Sequence, residues 1–298
     1  MVKLLLGLCS WADKELVDTK QFYPADVKSS EERLRYYATQ YPLVEVDTTY
    51  YAMPTEQTVY QWIERTPPDF TMDVKAFRLF TTHGAQYQVL PPAVRERIPK
   101  PRGNLYLKDF PKDVADDLWT MHTNVLRPMQ QAGKLGVVLL QFPKWFLPGP
   151  ESQDHILRCK EHMPDFRLAI EFRAVNWLSE RNLERTLAFL EGNGLAYVCV
   201  DEPQGFQSSV PPIAYATSDI SLVRFHGRNT ATWEATGQTA SDRFDHWYEK
   251  SEFLEWVPKI KKLEEKAQEV HLLINTNRKN QAPVNAAQLR LVLEESGL

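Results

Sequence analysis

Leu43-Val44-Glu45-Val46-Asp47-Thr48-Thr49-Tyr50 is the stretch on which the reading of the fold turns. Its alternation has the two-residue period of an extended strand. Glu45, Asp47 and Thr49 share one face, and Val44 and Val46 take the other. Working outward, seven further runs rich in Val, Ile, Leu and Phe occupy residues 4–11, 70–78, 136–143, 167–174, 196–203, 221–228 and 270–277. Several are almost continuously apolar, the pattern of parallel strands covered on both faces. In a barrel strand, the charges of the 43–51 run face either the interior or the helix layer, and both are costly unless paired.

Most of the runs are separated by amphipathic helical segments. Ser29 with Glu32 forms a capping-box pattern before Leu34, Tyr37 and Ala38. Thr55 caps a segment holding Val59, Trp62 and Ile63. Asp113 precedes a longer helix with Leu118, Met121, Val125 and Met129, which Pro128 is expected to kink or divide. A short helix is expected over 152–163. Ser179 precedes Leu183, Leu187 and Leu190, and Gly192 and Gly194 close that helix. Ser251 opens one helix through Leu254, Val257, Ile260 and Leu263, and the last helix carries Ala286, Leu289, Leu291 and Leu293.

Repeated strand–helix alternation argues for an α/β fold with a parallel sheet. Eight strands in 298 residues favour closure into a (β/α)8, TIM-like barrel, read as one domain over residues 1–298. A doubly wound open sheet is the alternative, but Gly7-Leu8-Cys9-Ser10 is not its glycine-rich phosphate turn. Two units break the rhythm. Residues 79–135, between strands three and four, are too long for one helix, and the Pro- and Arg-rich 86–103 reads as an excursion over the barrel mouth. Residues 204–219, between strands six and seven, form an irregular connection.

The chain is 43% hydrophobic and 25% charged, with net charge −4 and pI about 6.0. A protein binding nucleic acid through bulk charge would be basic, so that partner would need a local basic patch. The three cysteines, Cys9, Cys159 and Cys199, are widely spaced with no C-x-x-C, which argues against disulfides or a zinc–cysteine site. Cys9 and Cys199 read as buried small hydrophobes in a reducing compartment. The N-terminus lacks a signal-peptide pattern, and no run nears the roughly 18 apolar residues of a membrane span. A soluble, cytoplasmic protein is expected, with no membrane partner.

In such barrels sites form at the C-terminal strand ends, and polar residues fall there. They are Glu45 and Asp47; Lys75, with Arg78 after it; Gln141; Glu171 and Arg173; Asp201; Arg224, His226 and Arg228; and Asn275 and Asn277. Glu45 or Glu171 would act as general base and His226 as acid, while Lys75, Arg173 and Arg224 hold an anion. A buried ion-pair network is the alternative use of the same residues. His226 titrates near working pH, and Gly227 leaves room for a ligand to approach the backbone. His83 reads as a loop residue. His122, His155, His162 and His246 read as surface residues, and His271 opens strand eight away from the mouth. No histidine- or cysteine-based metal motif occurs, and the adjacent arginines argue against the alternative of a carboxylate-bound Mg²⁺ between Glu45, Glu171 and Asp201, so neither metal nor cofactor is expected. Trp11, Tyr50, Tyr51, Phe142, Trp145, Phe172, Trp177 and Trp233 fall on or just after strands, serving either as aromatic walls or as packing.

An ordered series of short motifs gives the chain a relative. It runs through Gly7 to Trp11, Phe22-Tyr23-Pro24, residues 44–51, Val74-Lys75-Ala76, Thr82-His83 and Leu139-Leu140-Gln141-Phe142-Pro143. It continues through Ile170-Glu171-Phe172-Arg173 with Trp177, Phe225-His226-Gly227-Arg228-Asn229, and Asn275-Thr276-Asn277 with Asn285-Ala286. Over almost its whole length the chain resembles the YecE-like family, domain of unknown function seventy-two. The resemblance implies a TIM-like barrel of unassigned activity. Analogy with endonuclease-IV-like and xylose-isomerase-like barrels implies phosphorylated sugars or nucleic acid as ligands. The many-histidine metal set of the former is missing. Two departures stand out: Gly-Leu-Cys-Ser-Trp where the family usually has Gly-Thr-Ser-Gly-Trp, and Asn-Thr-Asn where paired asparagines are usual.

Four functions remain open. The first is a protein binding or acting on a small anionic ligand, a sugar phosphate or nucleotide; as an enzyme it would be a hydrolase or isomerase. The second is a nucleic-acid-binding or endonuclease-like barrel using the basic excursion (Arg95, Arg97, Lys100, Arg102). The third is a glycosidase using Glu45 and Glu171. The fourth is a non-catalytic binding protein.

Overall fold

The structure is a computed structural model that describes residues 2–237 and 239–298. Eight strands close into one barrel in chain order, each parallel to its neighbours. They are β1 Lys3–Cys9, β2 Leu43–Val46, β3 Thr71–Lys75, β4 Leu135–Phe142, β5 Leu168–Phe172, β6 Ala196–Asp201, β7 Ile220–Phe225 and β8 Glu269–Ile274. β8 pairs back onto β1, Leu4 opposite Val270 and Leu8 opposite Ile274. The strands are short because the polar residues at their ends lie just beyond the ladder: Asp47, Arg173, Glu202 and His226 all follow the last paired residue.

Around the barrel pack α1 Ser30–Gln40, α2 Glu56–Glu64, α3 Lys112–Gln131, α4 Pro150–His162, α5 Leu183–Gly192, α6 Val257–Glu264 and α7 Gln281–Glu295. Local chemistry sets several boundaries. The Ser29 hydroxyl accepts from Glu32 N at 3.1 Å, and the Glu32 carboxylate accepts from Ser29 N at 2.7 Å. Thr55 caps α2 through Thr58 N. Pro128 does not divide α3. It lies in the final turn, where its missing N–H disturbs the least ladder. The segment expected as one helix from Ser251 is two, Lys250–Leu254 and α6, because Pro258 sits in the first turn of the second piece, where it starts a helix rather than continues one.

Residues 79–134 contain short helical turns and α3, and an isolated antiparallel bridge, Ala85 to Leu105, ties the two ends of the excursion. Residues 202–219 carry no helix.

The core runs continuously from the barrel interior to the helix layer, and Cys9, Cys159 and Cys199 are all buried in it as free thiols. At the floor of the barrel, His271 Nδ1 lies 2.8 Å from Asp73, and its Nε2 lies 3.1 Å from Glu269. Burial opposes protonation of His271, but Asp73 and Glu269 outweigh it and raise the imidazole to about 9. One surface expectation fails. His122 is fully buried on α3, stacked edge-on at 5.1 Å against Phe80, with neither ring nitrogen hydrogen-bonded. On a helix with Leu118, Val125 and Met129 inside, His122 lies four residues from Leu118 and so shares its inward face.

Candidate functional site

The alternation of β2, β5 and β7 brings Glu45, Glu171 and Arg224 together inside the barrel, and the strand ends place His226 and Arg173 above them. Arg224 is the hub. Its Nε donates to Glu45 Oε2 at 2.8 Å and its Nη2 to Glu45 Oε1 at 2.7 Å, a two-point fork. Its Nη1 donates to Glu171 Oε2. Glu171 Oε1 gathers three more groups: Gln141 Nε2 at 2.6 Å, Arg173 Nε at 2.8 Å and His226 Nε2 at 3.1 Å. Glu45, Glu171, Arg224 and His226 are all fully buried.

These contacts fix the charges. Burial pushes the Glu171 carboxyl up, but Arg224, Arg173 and His226 overcome it and hold the group well below the usual carboxylate range. Burial, with the Arg173 cation beside it, drives His226 well below the ordinary histidine range, so the ring is neutral. The Asn275 amide nitrogen stands 2.8 Å from His226 Nδ1, while His226 Nε2 faces Glu171 Oε1 at 3.1 Å and Arg173 Nη2 at 3.1 Å. Phe244 stacks over the imidazole at 5.5 Å and seals it from solvent. Glu45 and Glu171 therefore both clamp one guanidinium, rather than standing apart as a free carboxylate pair.

The remaining residues divide. Lys75 extends from the end of β3 with its Nζ 4.8 Å from the ring of Tyr50, and Arg78 lies 5.1 Å from that ring. Burial and the Arg224 charge lower the Lys75 ammonium. Arg173 donates through Nη1 to Glu202 at 2.5 Å and lies over Trp233 at 5.4 Å. Asn277 makes no hydrogen bond to the cluster, and its buried Oδ1 has no partner.

Asp201 is not in the mouth. It sits opposite Phe225 on the outer face of β6, in the helix layer. There it accepts from Tyr248 at 2.8 Å, Trp256 Nε1 at 2.5 Å and Arg228 at 2.7 Å. The inward carboxylate is its neighbour Glu202, which sequence reading missed. Glu202 Oε1 accepts from Val210 N at 2.7 Å, and burial, against the pull of Arg173, raises its carboxyl to about 8. The signal available was the adjacency of two carboxylates at the end of a strand, of which only one can face in. Gly227 serves packing. At φ 86° a Cβ there would stand 2.6 Å from His246 Cβ, and its N–H donates to Tyr248.

Above the cluster opens a cavity of about 440 Å³ lined by Gln141, Arg173, Lys144, Arg243, Trp145 and Trp233, with His83, Ser208, Glu234 and Phe244 completing it. Burial lowers His83 to about 4, so it too is neutral. Trp145 and Trp233 are thus walls, whereas Phe142, Phe172 and Trp177 are a buried stack between sheet and helices. The basic excursion is partly spent: Arg97 pairs with Asp113 at 2.6 Å and also with Asp117. Among the described residues, no group of three or more His, Cys, Asp or Glu is placed to hold a metal ion, and no helix is long and apolar enough to cross a membrane.

Comparison with known proteins agrees with this architecture. The family model described as protein of unknown function DUF72 matches residues 5–297. The UPF0759 protein YunF of Bacillus subtilis is 30% identical over 99% of this chain and 97% of its own length. The UPF0759 protein YecE of Escherichia coli is 25% identical over 77% of this chain and 76% of its own. A crystal structure of a DUF72 family protein from Enterococcus faecalis superposes with a TM-score of 0.81 at 26% identity, covering 98% of this chain and 95% of that one. Another from Thermotoga maritima gives 0.76 at 26% identity, covering 98% and 99%. With the family model spanning residues 5–297 and a relative 30% identical along the whole length, the chain belongs to the DUF72 family.

Proposed function

We propose that the barrel mouth binds a small anionic ligand, a phosphorylated sugar or a nucleotide, with the whole chain acting as one barrel domain. The observation that carries this is the balance of charge around the mouth cavity. Arg173, Lys144 and Arg243 line it against a single carboxylate, Glu234. Glu234 accepts from Ser208 N at 3.2 Å and pairs with Lys144 at 3.6 Å. The buried network below holds Arg173 rigid, with Nε on Glu171, Nη1 on Glu202 and Nη2 3.1 Å from His226 Nε2, so the guanidinium that lines the cavity is pre-oriented for an anion. Arg224 is consumed by Glu45 and Glu171 and acts as the brace of the site, not as a ligand contact. Isothermal titration with inorganic phosphate and ribose 5-phosphate tests the reading. Binding that weakens as salt rises and falls in Arg243→Met is expected. No heat and no thermal stabilisation from either compound would count against it.

A second reading, acid–base catalysis on the bound ligand, is favoured by one observation. Two carboxyls beside the buried cluster, outside the lining of the mouth cavity, are displaced toward neutrality in different degrees: Asp47 to about 6, by burial and by Glu45, and Glu202 to about 8, by burial. An ionised Asp47 would take a proton and a protonated Glu202 would give one. Activity on any substrate found should then rise with pH through about 6 and fall through about 8. A flat profile would remove this reading.

A further inference from the structure

Beside the mouth lies a second cavity, of about 540 Å³. The long excursion between β3 and β4 builds one wall of it with Tyr106, Leu107 and Lys108. That wall is pinned by the Ala85–Leu105 bridge, two hydrogen bonds of 2.8 Å each. The other wall is α4, which presents His155, Arg158 and His162 along one face. Trp119 forms the floor, with both of its own faces covered: Phe80 stacks at 3.6 Å and His162 at 4.8 Å. Two rings remain open to the space, Trp145 at 61% exposure and Tyr106 at 40%.

Three features point to an occupant. The lining is aromatic and aliphatic, yet it holds the cations Lys108 and Arg158 and no carboxylate. The Thr82 hydroxyl, at the cavity edge, is buried with no hydrogen-bond partner. Trp145 also lines the mouth cavity, so the two spaces share a wall. A planar, electron-rich ring fits these terms, since open aromatic faces stack with it and cations suit its face. Both volumes fall within the roughly 300–1,000 Å³ of small-ligand sites.

We propose that this cavity is the ring-binding half of the mouth site, so that the anionic ligand is a nucleoside phosphate. The phosphate lies against Arg173 and Arg243, and the base lies in the cavity between Trp145 and Tyr106. The proposal rests on the anion-binding reading above and narrows it from sugar phosphates to nucleotides. It also gives the excursion a purpose, as the wall of a ligand subsite.

Isothermal titration of the full chain with inorganic phosphate, ribose 5-phosphate and adenosine monophosphate tests it, on wild type and on Tyr106→Ala. Tyr106 is exposed, and thermal melting checks that the variant stays folded. Adenosine monophosphate should bind at least about tenfold tighter than ribose 5-phosphate, from stacking alone. Tyr106→Ala should lose about tenfold for adenosine monophosphate and leave ribose 5-phosphate unchanged. Equal affinities of the two in wild type, or a Tyr106→Ala variant that binds adenosine monophosphate as wild type does, would overturn the proposal and leave the anion-binding reading standing. Failure of all three compounds to bind would overturn both.

Discussion

Replacing Arg224 by methionine is the sharpest probe of the buried network. The substitution keeps an unbranched side chain and removes the charge. It deletes the two donations to Glu45, at 2.8 and 2.7 Å, and the donation to Glu171. At about 1.5–3 kcal/mol for each hydrogen bond to a charged group, the gross loss is about 5–9 kcal/mol. Glu171 keeps Gln141, Arg173 and His226, so its share is softened. Glu45 keeps only the Cys9 thiol, 3.4 Å away. The net expectation is a loss of about 3–5 kcal/mol near pH 7.5, the range for breaking a buried pair from one side. Urea unfolding followed by circular dichroism measures it.

The pH dependence gives a second, independent signature. In the wild type the depressed Glu171 carboxyl contributes stability above its unfolded pKa, and that contribution is lost as pH falls through the folded value. In Arg224→Met the Glu45 carboxylate stays buried without its guanidinium, so the deficit against wild type should shrink as pH falls from 7.5 toward 5. A loss under about 1 kcal/mol, as for an exposed pair, with the wild-type pH dependence retained, would refute the reasoning.

Other consequences follow from single features. Ser10 holds φ at 103°, a region that favours glycine, at the position where the family usually has glycine; Ser10→Gly should stabilise the protein by about 1 kcal/mol in thermal or urea unfolding. His271, raised to about 9 by Asp73 and Glu269, contributes stability that is complete below its unfolded pKa of about 6.5 and lost as pH climbs through 9. Unfolding free energies of His271→Gln should therefore lack the decline of the wild type between those limits. Asp201→Ala strands the buried Tyr248 hydroxyl and Trp256 indole N–H and leaves Arg228 to Glu255, and should cost about 3–5 kcal/mol by urea unfolding while leaving phosphate affinity of the folded protein unchanged.

Most of the barrel is legible because its strands are the apolar runs, and a run covered on both faces needs no partner information to be recognised. The centre of the site is legible for a related reason. Glu45, Glu171, Arg224 and His226 interrupt those runs at two-residue intervals, and only the barrel interior can gather them. The facing of Asp201 and Glu202 is not legible. The run from Ala196 to Val200 is apolar on both faces, so it gives no phase to say which carboxylate points in. Nor does the sequence say that Arg224 is spent as a brace, since that depends on two carboxylates, 126 residues apart in the chain, closing on one guanidinium. The excursion reads as irregular because its structure is a bridge and short turns, whose pairing is set by tertiary contact rather than by local periodicity.

In the proposed function, the mouth takes a tetrahedral anion between Arg173 and Arg243. Crystals soaked in selenate, a phosphate-like anion with an anomalous signal, test it directly. An anomalous peak is expected within hydrogen-bond distance of both guanidinium groups. Peaks confined to surface lysines, with the mouth empty, would contradict it.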